Sequence, residues 1–328
     1  MAKTKNRLTK LTPLLKQQPV LLMSWLDTNP NARYFTGRAD EPLAVLATKN
    51  ETIAYGEGPF DFADQTVPAR KLREHFWKYL QKHRIKRLGM DESDGPLFAR
   101  LVQKKVTPVP LHAAFQKIRA IKDASELAAI RRAQAITKKA VFDVANGRVG
   151  KTEHRVAGEI ELAARKQGAA LNAFTPIVAS GPHGAQPHAH VSSRVMTKAD
   201  PVVIDVGAKW QNYCGDFTHT AYDGSNHLIQ DAVLAVKESY NAARKIAKVG
   251  VSGKKLNHVA QTVIKEYGFE KHSFAAVGLR LGHSVGLEVH DGFGLEDVTL
   301  KKGMAVTIEP GIYVPKKFGV RFEDIVTL

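Results

Sequence analysis

Cys214 is the only cysteine in 328 residues, which excludes an intramolecular disulfide and suits a reducing cytoplasm. No apolar run approaches the roughly 20 residues that a membrane span needs. The longest near the N-terminus, Pro19 to Leu26, is followed by Asp27-Thr28-Asn29-Pro30 rather than a small-residue cleavage site, so it reads as a buried strand and not as a secretion signal. Zinc-finger spacing, an aromatic RNA-binding motif and a basic heptad zipper are all missing. The formal charge of +16 is spread, with 19 Lys and Arg against 11 Asp and Glu up to residue 115 and 29 against 21 after it. It describes a solvated basic surface and gives no footprint for nucleic acid.

What is present is the composition of an ordinary globular protein, 44% apolar and 24% charged, at a length that suits two domains. Up to about residue 115, strand-like runs at Val20 to Leu26, Leu43 to Ala47, Thr52 to Tyr55 and Arg87 to Met90 alternate with a helical segment from Pro68 to His83. That alternation predicts a small α/β domain over 1–115. VTPVPL, residues 106–111, holds two prolines and cannot be helix interior, and is read as the approach to a linker. A larger domain over 116–328 follows. Asp123, three residues before Glu126, opens a helix that stops near Gly147, and a second helix from about Thr152 ends at Gly168. RVGKT at 148–152 and KVGVS at 248–252 stand 100 residues apart, as do Gly168 and Gly268. Two helices then strands, occurring twice in one register, predict a duplicated half and a cleft between the halves.

The chemistry concentrates in the second domain. DVGAKWQNYCGDFTHT, residues 205–220, places aspartates eleven residues apart in strand-like surroundings, where an unpaired carboxylate is costly. Alternation puts Asp216, Thr218 and Thr220 on one face and Phe217 and His219 on the other. A turn about Lys209 to Asn212 returns the chain, so Asp205 and Asp216 approach each other and repel unless something positive lies between them. LGHSVGLEVHDG adds His283 and His290, VTIEPGIYV adds Glu309, and GVRFEDIVTL places Arg321 and Glu323 on one strand face. Any one of these groups alone is more often a cap, a surface pair or a hydrogen-bonded structural residue. Two Asp, two Glu and one His together make a hard, oxygen-rich set whose charge balances two divalent ions such as Mn²⁺ or Co²⁺, and Zn²⁺ or Fe²⁺ also accept such ligands.

In order, D-x-G-(x8)-D-x-T, G-H-(x3)-L-E-x-H, E-P-G-I-Y and R-x-E-D resemble the pita-bread metallopeptidase family of Xaa-Pro dipeptidases (prolidases), aminopeptidase P, methionine aminopeptidases and creatinase. The resemblance covers about residues 120–328, while the N-terminal part, including NARYFTG at 31–37, looks like the small domain shared by prolidases, aminopeptidase P and creatinase. It implies an α/β (α+β) architecture with a pita-bread catalytic domain. It also implies Asp205, Asp216, His283, Glu309 and Glu323 as ligands, Asp216 and Glu323 bridging two ions. His188 matches the family's further histidine, with His183 and His190 off that position; His290 matches the substrate-side histidine, and Arg321 the arginine that steadies the bridging glutamate. Glu309 would also carry the proton. His219 stands where these enzymes often have arginine. The activity implied is hydrolysis of Xaa-Pro bonds in di- or oligopeptides by a homodimer, with dipeptidase ahead of aminopeptidase P. The reading from another class is a non-catalytic interaction module, against which all five ligand positions being filled is the argument.

Overall fold

The computed structural model describes residues 7–24, 29–37, 43–91 and 95–328. Trp25 and Leu26, the end of the first expected strand, lie outside them. The chain divides into two compact units, Met1–Arg119 and Ala120–Leu328. Among the described residues no helix is long and apolar enough to cross a membrane.

The first unit is a six-stranded mixed sheet with helices. Its strands are β1 (Val20–Ser24), β2 (Leu43–Ala47), β3 (Thr52–Tyr55), β4 (Gln65–Val67), β5 (Arg87–Met90) and β6 (Thr107–Pro110), in the order β4-β3-β2-β1-β5-β6. The helices are α1 (Thr12–Leu15), α2 (Pro30–Thr36), α3 (Leu72–Lys82), α4 (Gly95–Gln103) and α5 (His112–Ala120). Leu21, Leu46, Ile53, Phe76, Leu80 and Leu88 belong to its core.

VTPVPL corrects the expectation drawn from it: the segment is the edge strand β6, paired in parallel with β5, and α5 follows it. The Thr107 amide donates to Lys86 O at 2.8 Å and the Leu111 amide to Met90 O at 2.9 Å. Pro108 and Pro110 fall at the alternate positions, where an edge strand turns its nitrogens away from the sheet and loses nothing by lacking N–H.

The second unit is built twice. In the first half α6 (Ala124–Ala145) packs on α7 (Glu153–Lys166), followed by β7 (Leu171–Asn172), β8 (Ile177–Ser180), β9 (Val202–Val206), β10 (Ala208–Trp210), β11 (Tyr213–Cys214) and β12 (Phe217–Ala221). In the second, α8 (His227–Ile246) packs on α9 (Gly253–Glu266), followed by β13 (Ala305–Ile308), β14 (Gly311–Val314), β15 (Phe318–Arg321) and β16 (Asp324–Thr327). Asp123 caps α6 in a full capping box with Glu126. The 100-residue offset is structural: Thr152 and Ser252 cap α7 and α9, each of 14 residues, and Gly168 and Gly268 close them at φ 95° and 80°, a left-handed conformation suited to glycine. Each half has its own apolar cluster, Ile136, Val156, Ile160, Val178 and Ile204 in one and Val236, Leu256, Ile264, Val306 and Val320 in the other. The carboxylates and histidines come from the strands and loops of both halves.

Candidate metal centre

Asp205 and Asp216 are brought together by strand register. β9 and β12 are antiparallel with Asp205 opposite Thr218 and Val206 opposite Phe217, and the same register continues into β10 and β11, where Trp210 faces Tyr213. Gln211 and Asn212 make the two-residue turn at φ 48° and 70°, the conformation whose twist suits a tight hairpin. Asp216, two residues before Thr218, therefore lies diagonal to Asp205 on the same face. Gln134 of α6 fixes it there. Its side-chain amide donates to Asp216 O at 2.6 Å and to Asp324 Oδ1 at 2.7 Å, and its carbonyl accepts the Asp216 amide at 2.7 Å.

The threonines of β12 join the hairpin to the second half. Thr220 Oγ1 accepts the Arg321 amide and donates to the Arg321 carbonyl, each at 2.9 Å. Thr218 O accepts the Glu323 amide at 3.0 Å, and Thr218 Oγ1 donates to Glu323 Oε2 at 2.6 Å. Arg321 and Glu323 both reach Thr218, although β15 ends at Arg321 and β16 begins at Asp324. The Arg321 guanidinium pairs with Asp205 Oδ2, and donates to Tyr313 Oη at 2.7 Å, Pro187 O at 3.1 Å and Thr218 Oγ1 at 3.1 Å. It touches Glu323 only through that hydroxyl, a more indirect support than its sequence position implies.

His283 and Glu309 meet on Thr307. Thr307 Oγ1 accepts the His283 amide at 3.1 Å and donates to Glu309 Oε1 at 3.2 Å. His283 Nδ1 lies 3.2 Å from Ser284 O, which assigns it the ring hydrogen, and Nε2 faces Glu309 Oε1 at 3.3 Å and Asp216 Oδ2 at 3.5 Å. Ligand atoms of Asp216, His283 and Glu323 all lie within 4.8 Å of one another. Glu309 adjoins that trio through His283, and Asp205 borders it beside Arg321.

This arrangement is electrostatically incomplete. Asp205 Oδ1 and Glu323 Oε1 are buried with no hydrogen-bond partner among the described residues. Burial and then neighbouring carboxylates drive Asp216 and Glu323 well above the usual carboxylate range, and burial raises Asp205 against the pull of Arg321. Burial likewise opposes charge on His283 and Glu309, but their mutual hydrogen bond and attraction prevail, holding His283 up at about 9 and Glu309 below its ordinary value. A neutral His283 with its hydrogen on Nδ1 would aim a bare lone pair at two carboxylates, so a proton or a cation must stand between them. Orphaned oxygens and a facing imidazole nitrogen are the donor set that divalent ions complete.

The other expected residues surround this cluster. The His290 ring stands 4.2 Å from that of His283, nearly perpendicular at 86°. Burial, then the charge of His283, lowers its pKa, and His188 contributes in the same direction from nearby. His183 points elsewhere, Nδ1 2.8 Å from Glu153 Oε2. His219 turns to the reverse face of β12, parallel to Phe217 and edge-on to Phe142 and Phe322. Gln134, Thr307 and Tyr313 went unread in the sequence. Gln134 is 82 residues from Asp216 and carries no local pattern toward it, whereas Thr307, two residues before Glu309 and hence on its strand face, and Tyr313, the last residue of the E-P-G-I-Y motif, offered a signal.

Residues 128–328 match Metallopeptidase family M24. The chain belongs to that family. Among curated proteins, the M24 chain is 38% identical to the Xaa-Pro dipeptidase of Pyrococcus furiosus, over 99% of this chain and 95% of that one. It is 34% identical to the Xaa-Pro dipeptidase of Pyrococcus horikoshii, over 92% and 88%. Among solved structures it superposes on the prolidase from Pyrococcus horikoshii OT3 with a TM-score of 0.87 at 32% identity, over 98% of this chain and 95% of that one. The X-Pro aminopeptidase from Thermotoga maritima MSB8 gives 0.86 at 30%, over 97% and 94%. The second unit is thus the pita-bread fold of an M24 metallopeptidase, whose site holds divalent metal ions.

Proposed function

We propose that this M24 enzyme is an Xaa-Pro dipeptidase in which Asp205, Asp216, His283, Glu309 and Glu323 hold two divalent ions, Mn²⁺ or Co²⁺. The observation that carries the reading is the convergence of Asp216, His283 and Glu323 within 4.8 Å beside two orphaned carboxylate oxygens, in a chain 38% identical to an Xaa-Pro dipeptidase. In this reading residues 1–115 form the small creatinase-like domain and 116–328 the catalytic domain. The enzyme is a cytoplasmic homodimer.

Divalent ions held by Asp205, Asp216, His283, Glu309 and Glu323 would supply Lewis acidity toward a water and the scissile carbonyl. The residues supply the rest. Glu309, held below its ordinary pKa chiefly by His283 against the effect of burial, is ionised at neutral pH and accepts the proton of the attacking water, then passes it to the leaving nitrogen. His290, kept neutral by burial and by His283, donates a ring N–H to the carbonyl oxygen as charge develops. Arg321 fixes Asp205 and, through Thr218, Glu323. His188, anchored where the preceding Pro187 carbonyl meets Arg321, closes over the substrate.

An X-Pro bond has no amide hydrogen, so a peptidase that reads its substrate as a hydrogen-bonded strand loses a contact there, and a site gripping carbonyl and free amino terminus does not. Hydrolysis of Leu-Pro, Leu-Pro-Gly and Leu-Ala after reconstitution with Mn²⁺, Co²⁺ or Zn²⁺ tests the assignment. The expected result is metal-dependent cleavage of Leu-Pro above both others. Preference for Leu-Pro-Gly would make the enzyme an aminopeptidase P; failure to bind metal or to cleave either proline peptide would favour an interaction module.

A further inference from the structure

Behind the candidate centre, on the opposite face of β12, lies a cavity of about 370 Å³ between α6, α8 and the β12 and β16 ends. That volume is in the range of small-molecule sites, about 300–1,000 Å³. Its wall is aromatic. The Phe142 ring stands edge-on to those of Phe217 and His219, at 5.6 and 5.2 Å, and Phe322 meets His219 at 5.5 Å from the other side. Phe142 is 50% exposed, an unusual position for a ring that could have been packed away.

Its rim is cationic. Lys138, Lys237 and Arg244 line the cavity. Lys138 is committed to Asp324 at 2.7 Å, and Asp324 also accepts from Gln134, so that carboxylate is matched. The remaining acid, Glu323, also lines the cavity, with its Oε2 accepting from Thr218 at 2.6 Å. Lys237 and Arg244 form no ion pair among the described residues. Lys237 sits 5.1 Å above the Phe322 ring and Arg244 lies 5.9 Å from Tyr240, so two positive charges edge an aromatic hollow, neither held in an ion pair among the described residues. His219 makes no hydrogen bond among the described residues, and burial, then Lys237 and Arg148, depresses it to about 4, so a neutral imidazole borders the cavity with both ring nitrogens uncommitted.

We propose that this cavity, on the reverse face of β12 from the metal centre and sharing with it only Thr218 and Glu323, is a second binding site for a small planar aromatic anion whose ring stacks among Phe142, His219 and Phe322 while its charged group meets Lys237 and Arg244. A neutral aromatic would leave the cations unused, and a bare anion would leave the exposed ring face of Phe142 unfilled.

Calorimetric titration of the whole chain in EDTA, so that no ion at the metal centre attracts the probe, tests this. Adenosine 5′-monophosphate and benzoate carry both ring and charge; adenosine and inorganic phosphate carry one each. At least one of the first pair is expected to bind tenfold or more tightly than either half-probe, and which one separates phosphate from carboxylate preference. Lys237→Ala with Arg244→Ala, and separately Phe142→Ala, should each weaken it at least tenfold. All three residues are exposed, so the variants should keep the parent melting temperature. Asp216→Ala should leave the affinity unchanged. No binding by either compound at millimolar concentration, equal binding of inorganic phosphate, indifference to the cavity substitutions in folded variants, or loss with Asp216→Ala would each overturn the assignment.

Discussion

Thr218 holds both ends of Glu323: its carbonyl accepts the glutamate's amide at 3.0 Å and its hydroxyl donates to Oε2 at 2.6 Å. A residue of the first half thereby aims a proposed ligand of the second, leaving Oε1 without a partner among the described residues. Thr218→Val preserves shape and removes the hydroxyl. Partners that orient ligands in this way are worth about 10–100-fold in metal affinity. The valine variant should bind Mn²⁺ or Co²⁺ weaker by that factor in a calorimetric titration, and Thr218→Ser should restore most of it. Parent affinity in the valine variant would show that the hydroxyl does not position the ligand.

Arg321 supports the opposite side of the cluster. Its guanidinium is almost wholly buried and serves four acceptors on Asp205, Tyr313, Pro187 and Thr218, a fork that a lysine ammonium cannot reproduce. Removing one partner of a buried pair costs about 3–5 kcal/mol because the other charge is left uncompensated. Arg321→Met should lower the melting temperature of the metal-free protein, and Arg321→Lys should recover only part of the loss. A melt at the parent temperature for both variants would rule out a stabilising role.

Protons occupy the metal-free cluster. His283 is held at about 9, Glu309 and Asp216 outweighing burial, while burial and mutual repulsion place Asp216 and Glu323 well above ordinary carboxylates. At neutral pH His283 is therefore mainly protonated, and ligation must release a proton from Nε2. Since raised pKa values mean bound protons below them, metal affinity should climb as pH rises from about 6 to about 9. Proton uptake by buffers of different ionisation enthalpy, measured during metal titration, checks this; affinity flat across that interval would contradict it.

The approach of Asp205 to Asp216 was legible because a hairpin in constant register converts an eleven-residue separation into a diagonal relationship, and because alternation fixes which face each residue takes. Phe217 and His219 turned away from Asp216 and Thr218 for the same reason. The duplication was legible because helix caps are local: Thr152, Ser252, Gly168 and Gly268 write the ends of α7 and α9 into single positions. β6 was not, since proline's cost depends on whether a strand lies inside a sheet or at its edge, a fact of tertiary neighbours. Gln134 is the extreme case. Its spacing from Leu127, Ile130 and Val141 puts it on the buried face of α6, but its role exists only once β12 and Asp324 arrive beside it.

Glu153 offers a test of how the His188 loop is held. It is the first residue of α7, fully buried, and its carboxylate accepts from Ser180 N at 2.8 Å and Oγ at 2.7 Å, Ser192 N at 3.0 Å and Oγ at 2.6 Å, and His183 Nδ1 at 2.8 Å. These partners bracket residues 180–192, the segment that carries His188. Burial alone would raise the Glu153 pKa, but the hydrogen bonds from Ser192, Ser180 and His183 prevail and hold it below 4.5. Being lower in the folded state than in the unfolded one, it contributes stability that is complete above that value and is lost as pH falls through the folded pKa. Glu153→Gln replaces one acceptor oxygen by an NH₂ that faces donors. Hydrogen bonds to charged groups are worth about 1.5–3 kcal/mol each, so the loop should loosen while α7 persists. The variant should retain parent metal content by elemental analysis, show a raised KM for Leu-Pro, and be cut faster by protease within 180–192. Loss of metal together with activity would instead place Glu153 in support of the metal cluster, and an unchanged KM with unchanged proteolysis would mean that the loop is held by something other than this carboxylate.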